Sequence, residues 1–249
     1  MNSQLPICLW SGPRNVSTAL MYSMAQLAGI KVVDEPLYGH CLAKTAAPHP
    51  GASEIMAAMN CDGDAVIREL LDEQRQLPEV RLFLKHMAHH LVQMDTRFLL
   101  QVDNVFLIRD PTEMLPSLIN QIPQPTLKDT GLQRQFELYE ELRAAGQQPL
   151  ILDSRELLLD PAHVLQRLCD HLQLTFDVGM LQWPQGPLAE DGVWAPHWYH
   201  AVHKSTGFQP YLKKQGFPDE LVPLLQECQP WYDKLFANAL RARPKGASN

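Results

Sequence analysis

The chain has 249 residues, of which 45% are hydrophobic, so it can bury a full core and is expected to form a single domain over residues 1–249. Its formal net charge of −7 disfavours a broad nucleic-acid-binding surface. Its 5 cysteines form no CxxC pair, and no apolar run approaches the roughly 18 residues that a membrane span requires. Since no signal-peptide pattern opens the sequence, we expect a cytoplasmic monomer or homodimer that binds neither nucleic acid nor membrane.

Short apolar runs alternate with helical patterns along the chain. The predicted strands cover residues 7–10, 31–33, 81–85, 104–108 and 150–152, and the predicted helices cover residues 16–28, 64–76, 111–120, 132–145 and 161–172. This alternation is typical of an α/β protein with three layers, in which helices flank a central, mostly parallel sheet. Ligands of such sheets bind at the carboxyl ends of the strands. Two irregular stretches, residues 38–59 and 183–210, are expected to be loop or lid insertions.

The turn after the first predicted strand carries groups that bind anions. Residues 12–18 read Gly-Pro-Arg-Asn-Val-Ser-Thr, and a run of strong helix formers follows them. A strand, a polar turn and a helix aim the helix N-terminus and its unpaired N–H groups at an anion. The charge of Arg14 and the hydroxyls of Ser17 and Thr18 complete a predicted cradle for phosphate or sulfate.

A second anion motif follows the predicted strand at residues 104–108. Arg109 stands at the carboxyl end of that strand, on the same sheet edge as the first turn. Asp110 and Pro111 suit the N-cap and the first turn of a helix. Ser117 lies eight residues after Arg109, two turns into that helix, and an arginine and a serine so placed can share one phosphate.

Together these motifs resemble the PAPS-dependent sulfotransferases, where PAPS is 3′-phosphoadenosine-5′-phosphosulfate. Residues 13–18 are similar to the 5′-phosphosulfate loop of that family, and Arg109 with Ser117 has the spacing of its 3′-phosphate motif. Residues 150–161, which end in Asp-Pro, look like a later family signature, and residues 204–207 look like its C-terminal basic element. The resemblance covers the chain from about residue 7 to about residue 207 and implies a P-loop-like sulfotransferase fold.

The resemblance also implies a reaction and a donor site. The reaction moves a sulfuryl group from PAPS to a hydroxyl or amine of a small-molecule acceptor, releases adenosine 3′,5′-bisphosphate and needs no metal. Arg14 is expected to stabilise the transferring group. The implied donor-binding residues are Arg14, Asn15, Val16, Ser17, Thr18, Arg109, Ser117, Lys204, Ser205, Thr206 and Gly207.

Two candidates compete for the general base that takes the acceptor's proton. Glu35 follows the second predicted strand, in a Glu-Pro context similar to that of bacterial-type relatives. The other candidate is a histidine of residues 86–90. Relatives read Lys-Thr-His where this chain has Lys85, His86 and Met87, and alternation along a strand points His86 away from Lys85. We favour Glu35 as the base, with Lys85 supporting the transition state.

The sequence leaves room for three other interpretations. A P-loop nucleotide kinase or phosphotransferase requires GxxxxGK[ST], and the turn at residues 12–18 has no lysine. A non-catalytic nucleotide-binding relative is an alternative because Val16 and Met87 replace the usual Gly and His of the family. Histidines within residues 86–90 have the spacing of helical metal ligands, but no acidic residue stands where a HExxH zinc motif places one, so no metal is expected.

Overall fold

Six parallel strands form the central sheet of the computed structural model, which describes residues 4–46, 49–213 and 216–243. Every neighbouring pair is parallel, and the order across the sheet is β2-β3-β1-β4-β5-β6. The predicted, mostly parallel sheet is confirmed. The strands are β1 (Ile7–Ser11), β2 (Ile30–Asp34), β3 (Arg81–Met87), β4 (Asp103–Ile108), β5 (Leu150–Asp153) and β6 (Ala239–Leu240).

Helices cover both faces of this sheet and its carboxyl edge. They are α1 (Ser17–Met24), α2 (Tyr38–Thr45), α3 (Ala52–Ala58), α4 (Gly63–Gln76), α5 (Pro111–Leu118), α6 (Leu127–Thr130), α7 (Leu132–Ala144), α8 (Ser154–Leu159), α9 (Pro161–Leu172), α10 (Ala195–Trp198), α11 (His200–His203) and α12 (Val222–Phe236). Short 3₁₀ turns lie at Ala88–His90, Arg97–Gln101, Val178–Leu181 and Asp219–Leu221.

Two large hydrophobic clusters confirm the three layers. Helices α1 and α9 pack on one face of the sheet, and α4, α5, α7 and α12 pack on the other. Strand β1 serves both faces by alternation: Ile7 and Leu9 belong to the first cluster, and Cys8 and Trp10 belong to the second. The central strand is therefore buried on both sides, as parallel strands usually are.

Helix α12 and strand β6 lie outside the predicted elements. A helical signal for α12 is present, because apolar side chains at Leu221, Leu225, Cys228, Tyr232 and Leu235 recur at intervals of three or four residues. Strand β6 has only two residues, so it carries no periodic pattern of its own. It adds to the sheet by pairing with β5.

The two stretches expected to be loops contain helices. Residues 38–59 hold α2 and α3, and residues 183–210 hold α10 and α11. A third hydrophobic cluster joins the two stretches; its buried members are Tyr38, Leu42, Ile55, Trp194, Ala195 and Tyr199. We call this unit the cap. Its helices are short and broken by prolines and glycines, which explains why their sequence looks irregular.

Beneath the carboxyl edge, Gln135 of α7 ties two neighbouring strands together. Its side-chain amide donates to the carbonyls of Trp10 at 2.9 Å and Leu107 at 3.0 Å, which belong to β1 and β4. The side chain is fully buried. Gln135 therefore fixes the spacing of the strands from which both anion motifs emerge.

Replacing Gln135 by methionine keeps the volume and removes both hydrogen bonds. We expect Gln135→Met to lower the free energy of unfolding by about 1–3 kcal/mol, because buried carbonyls lose a donor. Urea denaturation measures the change. Gln133→Met, on the same helix but partly exposed, is the control and is expected to stay within about 0.5 kcal/mol of the wild type. Equal losses in the two variants would contradict the special role of Gln135.

Candidate active site

A cavity of about 580 Å³ opens at the carboxyl edge of the sheet. One half is lined by the loop after β1, by Arg109 and by the segment around Ser205. The other half is lined by the cap and by the end of β3. We call these the anion half and the cap half. Both anion motifs and both candidate catalytic side chains, Glu35 and Lys85, therefore lie in or beside one space.

The loop after β1 is held by its own side chains. The Asn15 amide donates to the Leu107 carbonyl at 3.0 Å, and its oxygen accepts from the Ser17 N–H at 3.1 Å, at the start of α1. The left-handed residue of the loop is Arg14, with φ of 55°. Val16 has φ of −88°, which any residue adopts, so the valine in place of the family's usual glycine causes no backbone strain.

The two anion motifs meet at this loop. Arg14 Nε donates to Ser117 Oγ at 2.8 Å, and an Nη of Arg109 donates to the Arg14 carbonyl at 2.6 Å. The sequence predicted that the two motifs share an edge, and these contacts join them directly.

Charge and burial around the two arginines favour an anion. Burial lowers the pKa of Arg14, and the charge of Arg109 lowers it further. Arg109 Nε is buried without a hydrogen-bond partner among the described residues, although Glu113 lies 3.5 Å away as an ion pair. Two guanidinium groups held close together with a spare donor are a ready-made site for a phosphate or sulfate group.

Only part of the expected basic element reaches the cavity. Ser205 and Gly207 line it, whereas Lys204 and Thr206 are exposed and lie off its wall. The Ser205 hydroxyl donates to the Val202 carbonyl at 2.7 Å and accepts from the Trp183 indole at 3.2 Å. Gly207 is needed for close packing, because a Cβ there would lie 2.7 Å from the Leu181 carbonyl oxygen.

At the other side of the cavity, Lys85 is buried between two carboxylates. Its ammonium donates to Asp34 at 2.8 Å, to Glu35 at 2.6 Å and to the Tyr199 hydroxyl at 2.9 Å. These bonds use all three of its protons. Burial alone lowers the pKa of Lys85, but the two carboxylates outweigh burial and hold that pKa well above its ordinary value.

Glu35 is turned into the cavity by its backbone. Its φ of 38° lies in the left-handed region, and its N–H donates to the Lys85 carbonyl at 2.8 Å. Burial raises the pKa of Glu35, Lys85 opposes the rise and Asp34 adds to it. A carboxylate whose pKa is raised toward neutrality is a better proton acceptor than an exposed one.

The three histidines of residues 86–90 occupy different surroundings. His86 is fully buried, stacks on Trp10 at 4.4 Å on the sheet face away from Lys85, and has a pKa lowered by burial to about 3. His89 and His90 line the cavity, and burial lowers the pKa of both, to about 4 for His89. His90 Nδ1 lies 4.0 Å from Glu35. The predicted orientation of His86 is confirmed, and it has no route to the cavity.

Helix α2 supplies one wall of the cap half. Tyr38, Cys41, Leu42 and Thr45 line the cavity from a single face of the helix, at intervals of three and four residues. Met87, at the position where relatives carry histidine, lies on the wall as well, and its sulfur accepts from the Ser11 hydroxyl at 3.3 Å. In the part of the chain that the structure describes, no set of three or more histidine, cysteine or acidic side chains is grouped to hold a metal.

The contacts of Lys85 with Asp34 and Tyr199 were not predicted from the sequence. Asp34 directly precedes Glu35 and pairs in register with Lys85 across β2 and β3, so strand pairing was the signal that could have revealed it. Tyr199 lies in the stretch expected to be irregular, more than a hundred residues further along the chain. No local sequence pattern predicts its contact with Lys85.

The family is decided by comparison over nearly the whole chain. Residues 5–239 match the family model described as the sulfotransferase domain. The chain belongs to the sulfotransferase domain family. Two proteins of Arabidopsis thaliana, named branched-chain-amino-acid aminotransferase-like protein 2 and protein 1, are 38% and 36% identical over 242 residues. The match covers 96% of this chain but 42% of each relative, so the chain spans less than half of their length.

Solved sulfotransferase domains share the fold. The domain from the olefin synthase of Synechococcus PCC 7002 is 17% identical with a TM-score of 0.54, covering 96% of this chain and 98% of that one. The domain from the curacin biosynthetic pathway is 19% identical with a TM-score of 0.54, covering 94% and 99%. The predicted sulfotransferase fold is confirmed. Across the described ranges, none of the helices has the length and apolar character needed to traverse a lipid bilayer.

Removing the Lys85 ammonium leaves two buried carboxylates with no cation between them. We expect Lys85→Met to lower the free energy of unfolding at pH 8 by about 3–5 kcal/mol, the usual result of breaking a buried ion pair. The loss is expected to shrink as the pH falls toward 5. Because the pKa of Glu35 is raised in the folded state, folding takes up protons there, and its contribution to stability is lost as the pH rises through that pKa.

Urea denaturation at several pH values measures this dependence. Lys31→Met is the matched control, because Lys31 pairs with Glu73 at 2.7 Å on the surface and its loss is expected to change stability by less than about 1 kcal/mol. A pH-independent loss in Lys85→Met would show that the carboxylates do not depend on this ammonium.

Proposed function

We propose that this sulfotransferase moves the sulfuryl group of PAPS to a hydroxyl or amine of a small acceptor. The observation that carries the proposal is the hydrogen bond between Arg14 Nε and Ser117 Oγ, which joins both anion motifs at a cavity that also holds Glu35. A nucleotide with phosphate groups at both its 3′ and 5′ positions needs two such motifs side by side. A P-loop kinase needs only the first motif, and its loop carries a lysine that residues 12–18 of this chain lack.

The anion half suits the donor. Arg14 and the N-terminus of α1 bind the 5′-phosphosulfate, and Arg109 and Ser117 bind the 3′-phosphate. The spare Nε donor of Arg109 and the closeness of the two guanidinium groups support this assignment. Ser205 and Gly207 contribute the wall beside the nucleotide, and Lys204 and Thr206 are assigned no contact with it.

The cap half suits the acceptor and its deprotonation. Glu35 takes the proton of the attacking hydroxyl or amine as the new bond to sulfur forms and the bond from sulfur to the bridging phosphate oxygen breaks. The adenosine bisphosphate leaves with the bonding electrons. Lys85 acts through Glu35, because its three protons are already donated within the protein. Arg14 stabilises the charge that develops on the transferring group.

Affinity for the nucleotide product tests the donor site without knowledge of the acceptor. We expect Arg109→Ala to weaken binding of adenosine 3′,5′-bisphosphate by about 10- to 100-fold, since a charged hydrogen bond contributes about 1.5–3 kcal/mol. Isothermal titration calorimetry measures the affinity. Arg68→Ala, an exposed arginine of α4 off the cavity wall, is the control and is expected to bind like the wild type. The donor assignment fails if the wild type does not bind or if both variants bind equally.

Activity tests the base. We expect Glu35→Gln to slow sulfuryl transfer by about 10²- to 10⁴-fold, the usual contribution of a general base, with nucleotide affinity unchanged. Release of adenosine bisphosphate from PAPS, followed with a panel of phenols, alcohols and amines, identifies an acceptor and gives the rate. Glu73→Gln, at a surface ion pair, is the control. Full activity in Glu35→Gln would exclude Glu35 as the base and reopen His89 and His90.

A further inference from the structure

Two side chains outside the proposed catalytic set, Asp34 and Tyr199, form hydrogen bonds with Lys85. Tyr199 accepts from Lys85 at 2.9 Å and from the Trp194 indole at 3.2 Å. Its hydroxyl proton goes to Asp34, with oxygens at 2.8 and 3.0 Å. The Gly192 N–H lies 3.3 Å from Asp34 as a second donor. The hydroxyl therefore has every partner it can take, in a fixed direction.

This arrangement sets how one ammonium is divided between two carboxylates. Lys85 lies 2.8 Å from Asp34 and 2.6 Å from Glu35, and Asp34 also accepts hydrogen bonds from the Tyr199 hydroxyl and the Gly192 N–H. Those donors satisfy Asp34 and leave the ammonium free to bond Glu35 as well. Burial raises the pKa of Glu35, and hydrogen bonding by Tyr199 helps to oppose that rise. We propose that Asp34 and Tyr199 are positioning residues that divide the Lys85 charge between the two carboxylates and so keep Glu35 ready to accept a proton; the inference rests on the proposed role of Glu35 as the base.

The two positioning residues act in opposite directions. Without the carboxylate of Asp34, Lys85 serves Glu35 alone and the ionised form of Glu35 becomes more stable. Without the hydroxyl of Tyr199, Asp34 loses its main donor and draws the ammonium toward itself, so the ionised form of Glu35 becomes less stable. If Asp34 and Tyr199 only filled space, their replacement would not change the pKa of Glu35 in either direction.

Among the residues that the structure describes, the other titratable groups that face Glu35 keep one protonation state between pH 4 and 9. Burial lowers the pKa of His90, which lies 4.0 Å away, well below its ordinary value. Burial raises the pKa values of Tyr38, Cys41 and Tyr199, so these groups keep their protons at neutral pH. Lys85 stays charged because its two carboxylate partners raise its pKa. A titration seen at Glu35 between pH 4 and 9 therefore belongs to its own carboxyl group.

Carbon-13 NMR of the side-chain carboxyl groups tests the inference on the intact chain without an acceptor. The Glu35 signal is assigned by its loss in Glu35→Gln, and its titration midpoint is followed in each variant. We expect Asp34→Asn to lower the midpoint by about one unit or more and Tyr199→Phe to raise it by a similar amount.

Tyr22→Phe is the matched control. Tyr22 is also buried and donates to a carboxylate, Asp191, at 2.6 Å, but it makes no bond to Lys85. Its loss is expected to leave the Glu35 midpoint within a few tenths of a unit. The inference is overturned if Asp34→Asn fails to lower the midpoint, or if Tyr199→Phe leaves it where Tyr22→Phe does. Circular dichroism verifies folding; if Asp34→Asn does not fold, Tyr199→Phe, which keeps the ring and its packing, decides the question.

The NMR result is independent of the proposed base. Sulfuryl transfer that survives in Glu35→Gln refutes Glu35 as the base, whatever the titration shows. Loss of transfer in Glu35→Gln with unshifted midpoints in Asp34→Asn and Tyr199→Phe refutes only the positioning role. Once an acceptor is known, the acid limb of the kcat/KM profile is expected to move in the same two directions as the NMR midpoints.

Discussion

A single buried ammonium holds the candidate active site together. Lys85 lies at the point where β2, β3 and the cap meet. Its ammonium donates to Asp34 at the end of β2, to Glu35 directly after it, and to Tyr199 of the cap. Placing three ionised side chains away from water is costly, and the attraction among them offsets that cost only when the geometry is satisfied throughout. The parallel register that sets Asp34 opposite Lys85 supplies half of this geometry. The cap, through Tyr199, supplies the rest.

The cavity separates two kinds of charge. At one end, Arg109 donates to the Arg14 carbonyl and pairs with Glu113, and Arg14 donates to the Ser117 hydroxyl. At the other end, two carboxylates share one cation. Each group of charges is held by its own neighbours. The proposed anionic donor and the proposed proton acceptor therefore have separate sets of contacts in one cavity.

Much of the fold and of the anion half can be predicted from the sequence. The rest depends on contacts between residues far apart in the chain. The strands, the helices around Arg109 and the anion loop follow from apolar periodicity and from residue types that bind phosphate. The alternation of side chains along β3 correctly turned His86 away from Lys85. The stretches at residues 38–59 and 183–210 looked irregular because their helices are short, and their stability comes from packing on each other.

Single positions show what the structure adds to the sequence. Val16 stands where the family usually has glycine, and the structure places the left-handed conformation of this loop at Arg14. Lys204 and Thr206 matched a motif by order in the chain, yet only Ser205 and Gly207 turn toward the cavity. The contact between Tyr199 and Lys85 could not be predicted, since it is created by the packing of the cap on the sheet.

The two segments of the cap, residues 38–59 and residues 183–210, differ in which parts of the cavity they line. Residues 183–210 contribute Tyr199 to the Lys85 cluster and Ser205 and Gly207 to the anion half, so an exchange of this stretch alters the surroundings of both the proposed base and the proposed donor site. Helix α2, in contrast, lines the cap half with one face, which carries Tyr38, Cys41, Leu42 and Thr45. Under the proposed roles, substitutions along α2 change the wall that faces the acceptor, and those at Tyr38 and Cys41 also change the surroundings of Glu35.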